Sequence, residues 1–326
     1  MTSTTNFTTA TATATCPGGS TLVSGGAELT RSGALVSNDG AVTLGVYPSS
    51  SGTPVSQGAV TPASWTATGG YSGMAPGLDT ITSFAVCSSA VTSATEVQVT
   101  VSVANSLGPV TASCPVGTSL VGGGGGYTAF PGSNNTKLYD SFPSDAAGDV
   151  PANDSVNPTA WTFQGNSNSA SGATSAAYAV CATDVPVTTE VATATNSATT
   201  VAGGSPLAAT AVCPAGTELL AGGSDVVSSP SGPGTGGQGV HVIGDYPSDG
   251  SGNAETSGSA PAWTAVAQDG GQSLTSLATT ALVLCDTASP AASVPEATYP
   301  ALMVALGGLV IVGFVLYRRR TNTTTV

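Results

Sequence analysis

Three copies of one cysteine-bounded unit follow each other along the chain, and this repetition constrains the fold more than any other feature of the sequence. Each copy opens on a Cys-Pro-x-Gly motif, and the opening cysteines are 98 and 99 residues apart. Each copy closes on a second cysteine. The opening residues are Cys16, Cys114 and Cys213, and the closing residues are Cys87, Cys181 and Cys285. A repeat of this kind predicts one supersecondary unit that is used three times.

Three further landmarks recur in the same order in every copy: a Gly-Gly pair, an aromatic-Pro-Ser motif that we call the corner, and a single Trp-Thr pair. The glycine pairs are Gly25 and Gly26, Gly123 and Gly124, and Gly222 and Gly223; the corner aromatics are Tyr47, Phe142 and Tyr246; the tryptophans are Trp65, Trp161 and Trp263. The matched order sets the repeat boundaries at residues 1–87, 88–181 and 182–285.

Short β-branched runs separated by Gly, Pro, Ser and Asn fill each copy, with no helical periodicity before the last 28 residues. Segment 96–103 alternates strictly, which is the pattern of a half-buried strand, and segment 189–195 is its weaker counterpart. Proline after the corner aromatic is expected to end that strand, because it lacks a ladder donor. The chain is therefore predicted to be all-β, with three tandem, disulfide-stapled antiparallel β-sandwich or barrel-like repeats followed by one C-terminal transmembrane helix.

Aromatic residues make up only 5% of the chain, so each repeat has few bulky side chains for a core. Small domains with thin cores commonly depend on disulfides. A unit that folds alone must pair its cysteines within itself, which predicts Cys16–Cys87, Cys114–Cys181 and Cys213–Cys285. The alternative joins the closing cysteine of one copy to the opening cysteine of the next. Free or metal-binding cysteines are less consistent with the pattern, because two cysteines per copy do not supply the four ligands of a closed zinc site.

The recurring aromatic residues allow two interpretations. One tryptophan at a fixed strand position in each copy is typical of a core anchor, and we expect Trp65, Trp161 and Trp263 to be mostly buried. The alternative is a ligand platform on which sugars stack, made of these three rings and the corner residues Tyr47, Phe142 and Tyr246.

Charge and side-chain chemistry exclude several functions. The net charge is −13, and residues 1–298 hold only two basic groups, so no basic footprint for nucleic acid exists. The chain has one histidine, His241, and one lysine, Lys137. These two align with Val42 in the repeat, which predicts a solvated strand face. Since two copies lack histidine, no recurrent catalytic triad is possible. We expect no enzyme, no catalytic residue and no cofactor.

Acidic residues cluster after the corner in two copies. The second copy has Asp145, Asp149 and Asp154, and the third has Asp249, Asn253 and Glu255. Oxygen-rich loops can bind calcium, but the first copy has serines and glycine there and no EF-hand spacing occurs. We therefore predict solvated loops and no metal site. Five consecutive glycines, from Gly122 to Gly126, lack the lysine of a phosphate loop and favour a tight bend or bulge.

The C-terminal region contains 17 apolar residues without a charge, at positions 301–317. As a helix this segment nearly spans a bilayer core of about 30 Å. Arg318, Arg319 and Arg320 follow directly, and positive residues stay cytoplasmic. The pattern predicts a stem at 286–298, a membrane anchor with its arginine cluster at 299–320, a cytoplasmic tail at 321–326 and an extracellular N-terminal region. A buried core helix is the alternative.

The motif Val294-Pro295-Glu296-Ala297, the apolar run and the three arginines resemble exosortase-type sorting signals, with Ala297 at the position of that motif's second proline. The order of these elements also resembles the anchors of actinobacterial surface proteins with a Pro-Glu-Ala stem. The resemblance implies a bacterial cell-surface repeat protein, in which Pro295 and Glu296 would form the sorting motif.

Residues 1–15 resemble the second half of the segment that connects two copies, for example 192–212. We therefore expect that the chain begins inside a repeat boundary and that a signal peptide lies further upstream; a polar start is the alternative. Together these features predict a membrane-anchored extracellular stalk or adhesin module, with surface glycans or proteins as partners. A glycan-binding module is the alternative function.

Overall fold

The computed structural model describes residues 2–5, 9–32, 41–71, 78–88, 91, 95–101, 109–129, 136–167, 174–183, 188–201, 205–229, 240–269 and 274–287. These residues form β-strands and turns and contain no helix, which confirms the all-β prediction. Residues Met1–Ala288 make up one compact unit.

Each repeat supplies the same series of main strands. Repeat 1 contains β1 (Thr2–Thr5), β2 (Thr9–Thr15), β3 (Thr21–Ser32), β4 (Ala41–Ser50), β5 (Thr53–Pro54), β6 (Ala59–Val60), β7 (Ser64–Tyr71) and β8 (Leu78–Ser88). Repeat 2 contains β9 (Thr95–Val101), β10 (Val110–Ser113), β11 (Ser119–Ala129), β12 (Thr136–Ser144), β13 (Ser155–Val156), β14 (Ala160–Ser167) and β15 (Thr174–Ala182). Repeat 3 contains β16 (Thr189–Val201), β17 (Pro206–Val212), β18 (Glu218–Ser229), β19 (His241–Ser248), β20 (Ala262–Gln268) and β21 (Leu274–Asp286).

Three antiparallel sheets are built from these strands, and each sheet takes strands from two repeats. Sheet A has the order β1-β8-β3-β19-β20-β17, sheet B the order β2-β7-β4-β11-β15-β9-β6, and sheet C the order β10-β14-β12-β18-β21-β16-β13. Strand β5 pairs with β4. Sheet A therefore joins repeats 1 and 3, sheet B joins repeats 1 and 2, and sheet C joins repeats 2 and 3.

The three repeats consequently close into a ring in which none has a sheet of its own. This differs from the expected series of separate sandwich-like or barrel-like repeats. Each repeat places its corner and tryptophan strands in one sheet and its closing strand in another. The strands that one repeat contributes to a sheet would, by themselves, end in an edge of unpaired backbone groups. Strands of the neighbouring repeat pair with that edge.

The predicted disulfide pairing is confirmed. The Cα–Cα distances are 5.8 Å for Cys16–Cys87, 5.7 Å for Cys114–Cys181 and 5.7 Å for Cys213–Cys285. The opening cysteine of each repeat follows an edge strand (β2, β10 or β17), while the closing cysteine lies in a strand of a different sheet. The bridges therefore link sheet B to A, sheet C to B and sheet A to C.

The two glycines of each Gly-Gly pair permit two different close contacts. A Cβ atom on the first glycine (Gly25, Gly123 or Gly222) would overlap the tryptophan ring of the same repeat. A Cβ atom on the second glycine would overlap a backbone carbonyl of the neighbouring repeat. These second-glycine contacts are Gly26 with Asp245, Gly124 with Val46 and Gly223 with Ser141. The pair thus seats the ring and admits the partner backbone at the junction of two repeats.

We expect Gly26→Ala to lower the free energy of unfolding by about 1–3 kcal/mol, because the new methyl group overlaps the backbone of Asp245 and a ladder cannot yield as a flexible side chain can. Gly18→Ala is the matched control, since no atom lies within 4 Å of its added Cβ; it should change stability by less than about 0.5 kcal/mol. Urea unfolding monitored by tryptophan fluorescence measures both. Equal stability of the two variants would contradict this account of the junction.

The prediction that proline ends the corner strand is wrong. Pro48, Pro143 and Pro247 each pair in register with the tryptophan of their repeat, and the strands continue to Ser50, Ser144 and Ser248. On the other side, the corner strands pair with the next repeat only before the proline. Beyond this point Pro48 and Pro247 face a loop of their own repeat and only accept from it, from the backbone N–H groups of Val55 and Glu255 at 3.2 and 3.0 Å, so no donor is required of the proline.

The Ser and Thr of the corner and Trp-Thr motifs bond to each other in all three repeats. The hydroxyl oxygens of Ser49 and Thr66 are 2.7 Å apart, and the equivalent distances are 2.8 Å in repeats 2 and 3. A serine and a threonine at these two positions therefore satisfy each other across neighbouring strands beside the tryptophan.

Candidate functional site

The six aromatic residues considered as a ligand platform are all buried. Trp65, Trp161 and Trp263 are each 0% exposed, which confirms the prediction of core anchors. The corner rings of Tyr47, Phe142 and Tyr246 are 5–7% exposed. Two of them pack on the closing strand of another repeat, with ring centroids 5.9 Å apart for Tyr47–Tyr178 and for Tyr246–Phe84. The platform interpretation is therefore corrected: all six rings are buried, and the Tyr47 and Tyr246 rings lie at junctions between repeats.

The residue before each corner aromatic lies at the tryptophan N–H, and its chemistry changes from copy to copy. In repeat 2, Trp161 donates its indole N–H to Ser141 Oγ at 3.0 Å. In repeat 3, Trp263 donates to a carboxylate oxygen of Asp245. Repeat 1 has Val46 at this position, and the Trp65 indole nitrogen has no partner among the described residues. The three repeats thus share the buried tryptophan but differ in the group beside its indole N–H, which is apolar in repeat 1, a hydroxyl in repeat 2 and a carboxyl in repeat 3.

Asp245 is an acidic group inside the body that motif analysis did not identify. It is 3% exposed, and Ser224 Oγ lies 3.5 Å from its second oxygen. Burial raises the pKa of Asp245 to about 8, although the hydrogen bonds from Trp263 and Ser224 act in the opposite direction. The only sequence signal is the aligned series Val46, Ser141, Asp245, in which a charged residue replaces an apolar one.

We expect the protein to lose stability as the pH rises from about 4 to about 8. In that range the unfolded Asp245 carboxyl, with an ordinary pKa of 3.8, releases its proton while the folded carboxyl keeps it. The loss should amount to roughly a few kcal/mol, measured by urea unfolding at several pH values.

Asp245→Asn should flatten this pH dependence, since the amide oxygen still accepts from Trp263 and no longer titrates. A part of the slope should remain, because burial, and secondarily the charge of Asp225, also raises the pKa of Asp140. A pH profile of Asp245→Asn identical to that of the unsubstituted protein would contradict the assignment.

Two further acidic residues, Asp140 and Asp225, lie beside the Ser141–Ser224 pair that joins β12 to β18. Asp140 is 4% exposed and accepts a hydrogen bond from the Val226 backbone N–H at 2.8 Å. The other sheets have glycine–glycine or glycine–glutamate at the equivalent ladder positions. An acidic pair at this place is therefore peculiar to sheet C, with Asp140 buried and Asp225 half-buried.

The prediction that His241 and Lys137 lie on a solvated strand face is wrong. Val42, Lys137 and His241 are 1%, 3% and 1% exposed. Burial lowers the pKa of Lys137 to about 8, and the nearby charge of Asp269 partly offsets this effect. Asp269 is 0% exposed. Because Asp269 belongs to repeat 3 and Lys137 to repeat 2, this charge partner becomes visible only when the repeats are assembled.

The acidic residues of the loops bond to their own turns. Asp145 accepts from the backbone N–H groups of Ala147 and Asp149 at 2.8 and 3.1 Å. Asp249 accepts from the backbone N–H groups of Ser251 and Asn253, each at 2.9 Å. The hydrogen bonds from Asn253 lower the pKa of the Asp249 carboxyl. Within the described ranges, no group of three or more His, Cys, Asp or Glu residues is arranged to hold a metal ion. Asp145 and Asp249 thus cap their own turns.

The five-glycine run is part of strand β11 and is not a tight bend. A register shift directly precedes the run, between Leu120 and Gly122, and the same shift occurs in repeats 1 and 3. The predicted bulge is therefore present, but it lies at the start of the glycine run, between Leu120 and Gly122.

The C-terminal features lie outside the described residues. They comprise the Pro295-Glu296 motif, the apolar segment 301–317 and the arginine cluster. Within the part of the chain that the structure describes, no helix has the length and hydropathy needed to cross a membrane. The anchor therefore stays a prediction from the sequence.

No protein-family model matches the chain, and a search of curated proteins finds no significant match. The three disulfides indicate folding in an extracellular or otherwise oxidising environment.

Proposed function

We propose that the protein is a single-span, membrane-anchored module of the cell surface that acts as an adhesin. The observation that carries this proposal is the ring of three disulfides, each joining two sheets, on a chain whose C-terminal region reads as an apolar span followed by three arginines. Disulfides of this kind form and persist outside the reducing cytosol. The positive cluster would keep the C-terminus inside and the β-body outside.

The arrangement of the repeats favours a head-like adhesin over a long stalk. Within the described parts of the chain, the longest strands have 13 residues, which corresponds to about 44 Å at 3.4 Å per residue. The repeats lie side by side in shared sheets, so three copies add breadth and rigidity without adding reach. We favour a protein partner over a glycan, because the six recurring aromatic rings on which a sugar could stack are buried.

The membrane part of the proposal is tested by fractionating cells that produce the full chain with a C-terminal tag. We expect the protein in the membrane fraction, released by detergent and not by high salt. A variant with Val310→Asp and Val312→Asp, which places two charges in the apolar segment, should move to the soluble fraction with its disulfides intact. Recovery of the unsubstituted chain as a detergent-free monomer would overturn the anchor.

The adhesion part is tested separately on intact cells. Cells that display the full chain should attach to other cells or to protein-coated surfaces several-fold more than cells that produce the two-aspartate variant. External protease should remove the β-body and the attachment together. Correct surface display without increased attachment would overturn the adhesin role and leave the anchor unaffected.

A further inference from the structure

None of the three disulfides connects one repeat to another, because each bridge joins two cysteines of the same repeat. Across the junctions, the described residues are held by strand pairing and by the packing of a shared core. The junction between repeats 2 and 3 differs from the other two in one respect. It places a lysine and an aspartate, two side chains that can react with each other, inside the body.

These two residues are Lys137, near the start of β12 in repeat 2, and Asp269, directly after β20 in repeat 3. Lys137 is 3% exposed and Asp269 is 0% exposed, and the charge of Asp269 acts on the Lys137 amine. Leu138 and Ala267, which flank the two positions, are both 0% exposed and belong to one core cluster. An amine and a carboxyl from different repeats thus lie near each other in an apolar interior.

A third titratable side chain, His241, is buried at the same place. It is 1% exposed, and it pairs in register with Gln268, the residue directly before Asp269. His241 begins β19, which contacts β12, and it occupies in repeat 3 the position that Lys137 occupies in repeat 2. The junction therefore holds a lysine, an aspartate and a histidine together.

The buried setting favours reaction over a lasting ion pair. Removing an ammonium and a carboxylate from water is costly, and their attraction repays this cost only with good geometry and further hydrogen bonds. Burial lowers the pKa of Lys137 to about 8, although the charge of Asp269 acts in the opposite direction. A part of the amine is therefore neutral and nucleophilic near pH 7. Because the folded body holds both groups, the reaction has the advantage of an intramolecular one.

We propose that the side chains of Lys137 and Asp269 condense to an amide, which joins repeat 2 to repeat 3 covalently. A proton first passes from the ammonium to the carboxylate, which leaves a neutral amine and a neutral acid. The Lys137 Nζ–Asp269 Cγ bond then forms, and one Cγ–O bond breaks. The leaving hydroxyl takes one proton from the nitrogen and departs as water. His241 carries that proton from the nitrogen to the oxygen. The step needs no oxidant or other reagent, and both charges disappear.

The repeat alignment limits this link to one junction. The residues equivalent to Lys137 are Val42 and His241, and those equivalent to Asp269 are Tyr71 and Ser167. Neither of the other two junctions therefore has an amine and a carboxyl at these positions. The inference rests on the β-body alone and does not depend on the membrane anchor or on the adhesin role.

The assay is direct because Lys137 is the only lysine of the chain. The full chain is purified in mild detergent, reduced, denatured and treated with a lysine-specific protease. We expect the unsubstituted protein to resist cleavage after residue 137, since the amine is blocked. Its reduced intact mass should lie one water molecule below the mass of the sequence. Tandem mass spectrometry should identify one branched peptide that contains both Lys137 and Asp269.

The other repeats supply matched control variants. Asp269→Ser introduces the residue that repeat 2 has at the equivalent position, Ser167. This variant should be cut completely after Lys137 and should have the full mass of its sequence. His241→Val introduces the residue that repeat 1 has, Val42. In a time course after cell-free synthesis, this second variant should form the amide at least about a hundredfold more slowly.

The measurement on the unsubstituted chain decides the proposal, whether or not the variants fold. Complete cleavage after Lys137 overturns the crosslink. Loss of water with Lys137 still cleavable also overturns it, because a cyclic imide at an Asp-Gly step such as Asp269-Gly270 has the same mass. An unchanged rate in His241→Val overturns the part assigned to His241.

Discussion

Trp161→Ala is expected to lower the free energy of unfolding by about 3–5 kcal/mol. The ring is 0% exposed and lies directly against Gly123, and its N–H is bonded to the buried Ser141 hydroxyl. Truncation therefore leaves a large cavity, and glycine has no side chain that could move to fill it. Equilibrium urea unfolding monitored by circular dichroism measures the effect.

Val116→Ala in the same repeat is the control for Trp161→Ala. Val116 is fully exposed in the Cys-Pro-x-Gly turn, so its truncation should change stability by less than about 0.5 kcal/mol. If the two variants unfold at the same urea concentration, the tryptophan is not the anchor of the repeat.

Removing one disulfide should have a comparable effect. The double substitution Cys213→Ala and Cys285→Ala opens a loop with a sequence separation of 72 residues. The chain-entropy model predicts a loss of roughly 4 kcal/mol for a loop of this size. The bridge also ties edge strand β17 of sheet A to sheet C, so the edge should fray first. Thermal unfolding and amide exchange of residues 206–212 measure the two effects.

The three bridges should also differ in their resistance to reductant. Cys181 and Cys285 are 0% exposed, whereas both cysteines of Cys16–Cys87 are only partly buried. We expect Cys16–Cys87 to be reduced first in a time course with a small thiol, followed by mass spectrometry of alkylated peptides. Simultaneous loss of all three bridges would indicate that global unfolding, and not local access, controls reduction.

The features that sequence analysis predicted correctly are those that a single copy encodes. Cysteine spacing identified each disulfide, because both partners belong to the same repeat. The alternating valines of segment 96–103 predicted strand β9, and the single tryptophan of each copy marked its core. Comparing three copies also separated recurrent residues from incidental ones, since a side chain needed by the architecture occupies the same place in each.

The features that were missed depend on contacts between copies. Lys137 and His241 align with a valine and were assigned to the surface, yet the assembled body buries them and brings the charge of Asp269 close to Lys137. The corner rings suited a sugar platform until Tyr178 and Phe84 of other repeats were seen to cover two of them. Asp245 drew no attention, because a lone aspartate gives no sign that it will lie beneath a tryptophan N–H.

By itself, the sequence determined the all-β class, the threefold repeat, the disulfide pairing and the buried tryptophans, because periodicity and cysteine spacing act within one copy. Only the tertiary structure decided that the copies share their sheets and close into a ring. Strand pairing between repeats depends on backbone hydrogen bonds and on the close approach that Gly26, Gly124 and Gly223 permit. Backbone hydrogen-bonding groups are nearly the same in every strand, so they do not by themselves select a neighbour. The order of the strands is fixed only when the assembled repeats determine which strand edges can approach each other.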